Sequence, residues 1–244
     1  MPSSLRKLLG GSSSISWLQP LPTEPPADRR GLIVGACRGK RVIHLGFTDE
    51  HLTADKQRSG RWLHADLDEV ASSLVGLDLD REGVERAQAL GYEAYVVDAQ
   101  SATAIRRLSL QPADVVVAGE IIEHLESPGH FLRAVKPLLA DGGRLIVTTP
   151  NAYRTVGFLA PLLGEELIHP DHVGIHSIHT LRTLGRRAGY HVEQLGYYQN
   201  AAVISSGSAV GTVARVVRTL QAWLLRRRPH WSDGIYAIFT RRAR

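Results

Sequence analysis

The sequence predicts an α/β fold, a mostly parallel sheet with helices on both faces. Three observations carry this. Short apolar runs alternate with amphipathic stretches from residue 28 onwards. Five such βα units in a row can share one sheet only as parallel strands joined by crossover helices. An acid or a glycine stands at or just after each of the first four apolar runs, and the C-terminal ends of strands are where such sheets keep their ligands.

The elements follow in order. RRGLIVGACRG (29–39) reads as a helix, and RVIHLGF (41–47), with Gly46 near its end, as a first buried strand. Residues 48–61 are polar and loop-like, while 62–73 have helical spacing at Leu63, Leu67, Val70 and Ala71. LVGLDLD (74–80) is a second strand, REGVERAQALG (81–91) a helix stopped by Gly91. YEAYVVD (92–98) is a third strand, SATAIRRLSL (101–110) a helix, and ADVVVAG (113–119) a fourth strand. Residues 120–143 read as helix in two pieces, broken near Pro128, before a fifth strand, RLIVTTP (144–150). A long segment (151–176) carries a helix before Gly164; a helix (178–190), a strand (191–199), a basic amphipathic helix (208–228) and a last strand (234–242) complete the chain. Residues 1–27, rich in Ser, Gly and Pro, are expected to form a flexible arm, and 28–244 a single domain.

Composition bounds the class. The 244 residues are 43% hydrophobic and 22% charged, the balance of a folded chain rather than a disordered one. No run reaches the roughly 18 apolar residues of a membrane span, and the first residues lack the apolar core of a signal peptide. A single cysteine, Cys37, excludes an intrachain disulfide and a Cys-cluster zinc site. A reducing cytoplasm is the expected compartment. The net charge of +5 is uneven: residues 212–244 hold eight arginines against one acid, Asp233. Such asymmetry points to an anionic neighbour: a membrane surface, nucleic acid or an acidic substrate.

The strand ends suggest a ligand. Asp78 ends the second strand and Asp98 the third. A carboxylate after strand two can accept both hydroxyls of a ribose, and one after strand three can reach a base amino group. Singly, such acids are as well explained as helix caps; in register they read as an adenosine cradle. A dinucleotide fingerprint needs three glycines, and HLGFTDEH has one, Gly46. An adenosine ligand without a diphosphate is expected, and S-adenosylmethionine fits.

The ordered set VIHLGFTD (42–49), LVGLDLD (74–80), YVVDAQS (95–101), DVVVAGEIIEHLESPG (114–129), GGRLIVTTPN (142–151) and DHVGIHS (171–177) resembles the class I S-adenosylmethionine-dependent methyltransferases over roughly residues 35–200. The resemblance implies a Rossmann-like fold with a seven-stranded, mostly parallel sheet. It also implies that Gly46 lets the cofactor approach and that Asp78 and Leu79 hold the ribose side. Asp98 and Ala99 would serve the adenine, and Glu120 the methionine end. The family's first loop reads acid-x-Gly-x-Gly; here His44 stands for the acid and Thr48 for the second glycine. How the cofactor's amino group is held is thereby changed, with Asp49 or Glu120 as substitutes.

Glu120, Glu123 and His124 are spaced i, i+3 and i+4, one face of a helix. Two carboxylates and an imidazole suit Mg²⁺ or Mn²⁺. The E-x-x-E-H string is similar to that of quinone-biosynthesis O-methyltransferases and of small-RNA 2′-O-methyltransferases, the latter also using a later-loop histidine. His172 and His176 occupy the comparable place, and the resemblance gives Glu120, Glu123, His124 and His172 as metal ligands. Without metal, His124 or His172 is the general base for a hydroxyl acceptor. The expected reaction is O-methylation of a small or lipid-linked molecule such as a sugar, quinone or other metabolite. An RNA ribose methyltransferase and a non-catalytic scaffold of the same fold are the alternatives. The 208–228 helix, with Val213, Val216, Val217, Leu220, Trp223 and Leu224 beside Arg215, Arg218 and Arg226 to Arg228, reads either as packed on the sheet or as peripheral contact with an anionic membrane.

Overall fold

The computed structural model describes residues 18–48, 62–200 and 223–241. Asp49 and residues 208–222 of the basic helix lie outside the described residues, as do residues 1–17 of the expected arm.

One sheet organises the chain: β1 (Ala27–Asp28), β2 (Arg41–Leu45), β3 (Ser73–Asp78), β4 (Ala94–Val96), β5 (Ala113–Gly119), β6 (Leu139–Pro150), β7 (Tyr190–Gln199) and β8 (Gly234–Arg241). Their order is β1-β7-β8-β6-β5-β2-β3-β4. Every pair is parallel except the two made by β8, which enters antiparallel between β6 and β7. The seven expected strands become eight because Ala27 and Asp28 pair with Tyr198 and Gln199. Two residues carry no periodicity, so only the pairing reveals this strand.

Helices cover both faces. On one, α1 (Arg29–Cys37), α2 (Leu63–Val70) and α3 (Arg81–Ala89) lie against the sheet. Ile33, Cys37 and Leu67 meet Val42, Val115, Val117 and Ile146 there. On the other lie α4 (Ala102–Arg107), α5 (Pro128–Ala134) and α7 (Ile178–Arg187), with α6 (Thr155–Leu159) beyond the strand ends. Ile105, Phe131, Leu132, Ile178 and Leu181 pack on Ile43, Leu45, Val116, Leu145 and Phe239. The central strands are apolar on both sides because both sides are covered.

Caps fix where helices begin. Asp28 accepts the Gly31 N–H at 2.8 Å and starts α1. Ser177 and Thr180 form a reciprocal capping box for α7. Gly164, with φ 79°, closes the turn after α6, where the sequence expects a helix to stop. The expected arm joins the body from residue 18 onwards. Leu21 packs on the core, and the Pro20 carbonyl lies 3.0 Å from His179 Nε2.

The segment 120–127 corrects an expectation. It is not an α-helix: Glu120 has φ 56°, Ile122–His124 make one 3₁₀ turn, and α5 starts only at Pro128. Glu120, Glu123 and His124 therefore do not share a helix face.

Candidate active site

Strand order reverses between β2 and β5, the first and fourth strands of the βα series. Loops after these two strands leave to opposite sides and open a crevice at their C-terminal ends. Gly46 is the first residue on its rim. Its φ is 62°, and a Cβ there would lie 2.8 Å from the Ile121 side chain, so the position favours glycine.

Asp78 faces the same rim. Its Oδ2 accepts the Thr48 N–H and its Oδ1 the Asp80 N–H, each at 3.0 Å. The carboxylate thus ties the first loop to the second, and each oxygen retains a lone pair for a vicinal diol. Leu79 beside it is 70% exposed, an apolar surface for a flat ring. Asp98 is exposed; its Oδ1 accepts the Gln100 N–H at 2.8 Å, leaving Oδ2 for a donor. The Val97 N–H bonds the Asp78 carbonyl, so Asp78, Asp98 and Ala99 are held in one register along the edge.

Glu120 stands across from Gly46. A non-glycine residue at positive φ is a strained conformation that surrounding structure must impose. Here the Glu120 N–H bonds the Thr148 carbonyl at 3.0 Å and Tyr198 Oη donates to Glu120 Oε1 at 2.6 Å. Arg29 Nε approaches the same oxygen at 3.9 Å and donates to Thr148 Oγ1 at 3.1 Å. Arg29, Thr148 and Tyr198 come from α1, β6 and β7. No local spacing links them to Glu120, so sequence reading missed them.

His44 stands near the end of β2, and its Nδ1 is turned to Nδ1 of His64, 3.3 Å away. The ring is 4% exposed. Burial, and then the nearby His64 and Arg29 charges, keep it neutral far below the usual histidine range. A polar side chain on an inward strand position takes a buried partner when one is offered.

Beyond Glu120 lies a second cluster. Glu123 is buried; Thr149 Oγ1 donates to its Oε2 at 2.9 Å, while Oε1 is buried without a partner. Burial, reinforced by the Glu120 charge, raises its pKa to about 8. The exposed His124 and half-buried His172 stand with ring centroids 4.6 Å apart. Glu123, His124 and His172 each offer one ligand atom, all within 4.8 Å of one another. Glu120 is not in this set, because its left-handed backbone sends its side chain to Tyr198 and Arg29. His169 is close by, 5.4 Å from His172 between centroids, but its Nδ1 is taken by the Asp171 N–H. His172 is placed by main chain: the Val173 and Gly174 N–H groups both bond the Glu123 carbonyl. Burial, then the neighbouring His124 and His169, lower its pKa.

The descriptor of a methyltransferase domain matches residues 56–195, more than half of the chain. The chain belongs to the methyltransferase domain family. The match begins at residue 56, past His44 and Thr48, where this chain departs from the family pattern. Among curated relatives, the ubiquinone biosynthesis O-methyltransferase of Aeromonas salmonicida (strain A449) is 29% identical over 138 residues, 55% of this chain and 52% of that protein. That of Caulobacter sp. (strain K31) is 51% identical over 58 residues, 23% of this chain and 22% of that protein. This methyltransferase-family chain spans about half the length of the first of these relatives. Solved structures share the fold. The putative methyltransferase in complex with the Haloferax volcanii Trm112 activator superposes with TM-score 0.53 at 17% identity, covering 91% of this chain and 86% of that one. Magnesium protoporphyrin IX methyltransferase of Synechocystis PCC 6803, solved with bound SAH, gives 0.52 at 14%, covering 87% and 78%.

Proposed function

We propose that this domain transfers the methyl group of S-adenosylmethionine to a hydroxyl of a small or lipid-linked acceptor. Asp78 would hold the ribose hydroxyls, Leu79 and Ala99 flank the adenine, Asp98 accept from its amino group, and Glu120 take the ammonium of the methionine end. The cofactor would supply an electrophilic methyl on a sulfonium; the chain's own contribution is to hold the acceptor oxygen in line with it. The observation that carries the hydroxyl reading is the cluster of Glu123, His124 and His172 across the crevice from Asp78.

That cluster supports two ways of managing the acceptor proton. His172, held neutral by its burial, can take it as a general base, with His124 as its neighbour. A divalent ion also fits, since Glu123 Oε1 is a buried acceptor without a donor and two imidazoles face it. Mg²⁺ or Mn²⁺ there would supply positive charge beside the hydroxyl, with Glu123, His124 and His172 as ligands and without the expected Glu120.

The surroundings favour an apolar acceptor over RNA. Next to a small cavity lined by Asn151, Arg154 and His172 lies a cavity of about 790 Å³ bounded by Leu18, Leu21, Tyr153, Phe158, Leu159 and Trp231. Phe158 on its wall, and Leu162 and Leu163 a few residues further along the chain, are more than 70% exposed, a surface suited to a lipid chain. Among the described residues no helix is long and apolar enough to cross a membrane. The described end of the basic helix (223–227) exposes Trp223, with the Arg227 guanidinium over its ring, and buries Leu225. Peripheral contact with an anionic bilayer in a reducing cytoplasm belongs to the same proposal.

Titration calorimetry with S-adenosylhomocysteine tests the cradle. Asp78→Ala should weaken binding at least about tenfold, as loss of charge-assisted bonds to a diol does, and unchanged affinity refutes the assignment. Methyl transfer that falls in EDTA and returns with Mn²⁺ selects the metal; transfer unaffected by EDTA selects His172.

A further inference from the structure

The buried pair His44 and His64 is not used by the reading above. His44 is on β2, one residue before Leu45 and the Gly46 turn; His64 is in the first turn of α2 and 0% exposed. Their Nδ1 atoms are 3.3 Å apart and the rings stack at 5.4 Å. Phe47, Trp62 and Tyr92 surround His64 at centroid distances of 4.3, 5.2 and 5.2 Å. Trp62 Nε1 donates to the Phe47 carbonyl at 2.9 Å. The aromatic wall packs His64 against His44.

Two neutral imidazoles in Nδ1 to Nδ1 contact share a single proton, so one is donor and the other acceptor. His64 Nε2 is buried with no partner. A buried N–H without an acceptor is the rarer and costlier orphan, so His64 Nε2 carries a lone pair and its proton lies on Nδ1. His44 Nδ1 is then the acceptor, and His44 must carry its own proton on Nε2. That atom is not among the sealed, unpartnered nitrogens and makes no hydrogen bond among the described residues, so the residual exposure of His44 includes it.

The charge around the crevice follows. Where the family pattern has an acid, an acceptor, this chain has a neutral N–H donor. Arg29, the cation felt by His44, reaches across Gly119, where a Cβ would meet its Nη2 at 2.6 Å. Two donors therefore act on this side of the crevice, with the Glu120 Oε1 acceptor 3.9 Å from Arg29 Nε. A zwitterionic amino-acid group fits this pattern with its carboxylate toward His44 and Arg29 and its ammonium toward Glu120.

We propose that His64 is a positioning residue that fixes His44 as the Nε2–H tautomer, so that His44 and Arg29 together bind the carboxylate of the cofactor's amino-acid end. This rests on the S-adenosylmethionine reading and adds how the amino-acid end is held.

Two ligands separate this role from a structural one. S-adenosylhomocysteine carries the amino-acid end; 5′-methylthioadenosine has the same adenosine without it. His64→Phe retains the aromatic packing and removes the donor. It should weaken S-adenosylhomocysteine about tenfold, the scale of one hydrogen bond to a charged group, and leave methylthioadenosine unchanged. His64→Asn, whose amide can stand in for Nδ1–H, should restore affinity. In wild type, ¹⁵N correlation spectra should show His44 protonated at Nε2 and His64 at Nδ1, a readout independent of any variant's folding. Equal weakening of both ligands, unchanged S-adenosylhomocysteine affinity, or His44 protonated at Nδ1 would each overturn the proposal. Failure of wild type to bind methylthioadenosine would overturn the adenosine cradle beneath it.

Discussion

Glu123→Gln in the metal-free protein should remove a loss of stability that the wild type suffers at high pH. In the wild type, Glu123 Oε1 is buried and unpartnered, and only the Thr149 hydroxyl serves Oε2. Below pH 4.5 the folded and unfolded chains both hold the proton, and the side chain costs little. As pH rises past 4.5 the unfolded chain ionises while the folded one keeps its proton up to about pH 8. A folded pKa above the unfolded one means stability is lost across that window. The rise from 4.5 to about 8 corresponds to about 3–5 kcal/mol by pH 9. Glutamine cannot ionise, but its amide leaves a polar atom unpartnered at every pH, costing about 1 kcal/mol. The variant should thus be slightly less stable than wild type at pH 4.5 and more stable at pH 9 by roughly 2–4 kcal/mol. Urea unfolding in EDTA at pH 4.5, 7 and 9 measures this, and other carboxylates cancel in the difference. A wild-type minus variant difference that stays constant with pH refutes the burial argument. With Mn²⁺ added, the sign for wild type should reverse at pH 8, because an ion that binds only the folded, ionised site stabilises it; the variant should not respond.

Gly185→Ala should lower stability by about 1–3 kcal/mol, seen as a reduced melting temperature, since its Cβ would lie 2.3 Å from Phe239. The His64 pKa is lowered by burial from 6.5 to about 3; because the folded value is the lower one, wild type should lose stability as pH falls through that window, and His64→Phe should flatten the loss in acid unfolding curves. Changing Arg226, Arg227 and Arg228 to Gln should abolish salt-sensitive co-sedimentation with anionic vesicles without moving the melting temperature. Leu225→Ala, at a position 3% exposed, should cost about 2–5 kcal/mol; no wild-type sedimentation at low salt refutes the membrane contact.

What could be read beforehand followed from periodicity. The βα rhythm, the acids Asp78 and Asp98 and the stop at Gly164 are local signals, each within a few residues of its cause. The turn at Glu120 was not legible, because i, i+3, i+4 spacing serves a 3₁₀ turn as readily as an α-helix and does not record a φ of 56°. His172 could be placed with Glu123 and His124 only through a resemblance; the main-chain bonds that do the placing carry no side-chain signature. Arg29 and Tyr198 approach Glu120 from 91 and 78 positions away, beyond any pattern a single sequence displays. His44 was read by its place in a loop motif, yet its partner 20 residues on, and a wall of aromatic rings, decide which way it faces.

The main chain around residues 151–176 has a consequence for how such domains diversify. Asn151 pairs with His176, the Ala152 N–H bonds the His176 carbonyl, and Val173 and Gly174 hang from Glu123. The segment is therefore pinned at its base by bonds that depend on no particular side chain. Everything between, from α6 to the turn at His169, can lengthen, shorten or change its apolar residues at modest entropic cost, because closure of a pinned loop grows only slowly with its length. The base of the segment, and with it His176 and the Glu123 main chain, stays where it is while the residues in between are exchanged.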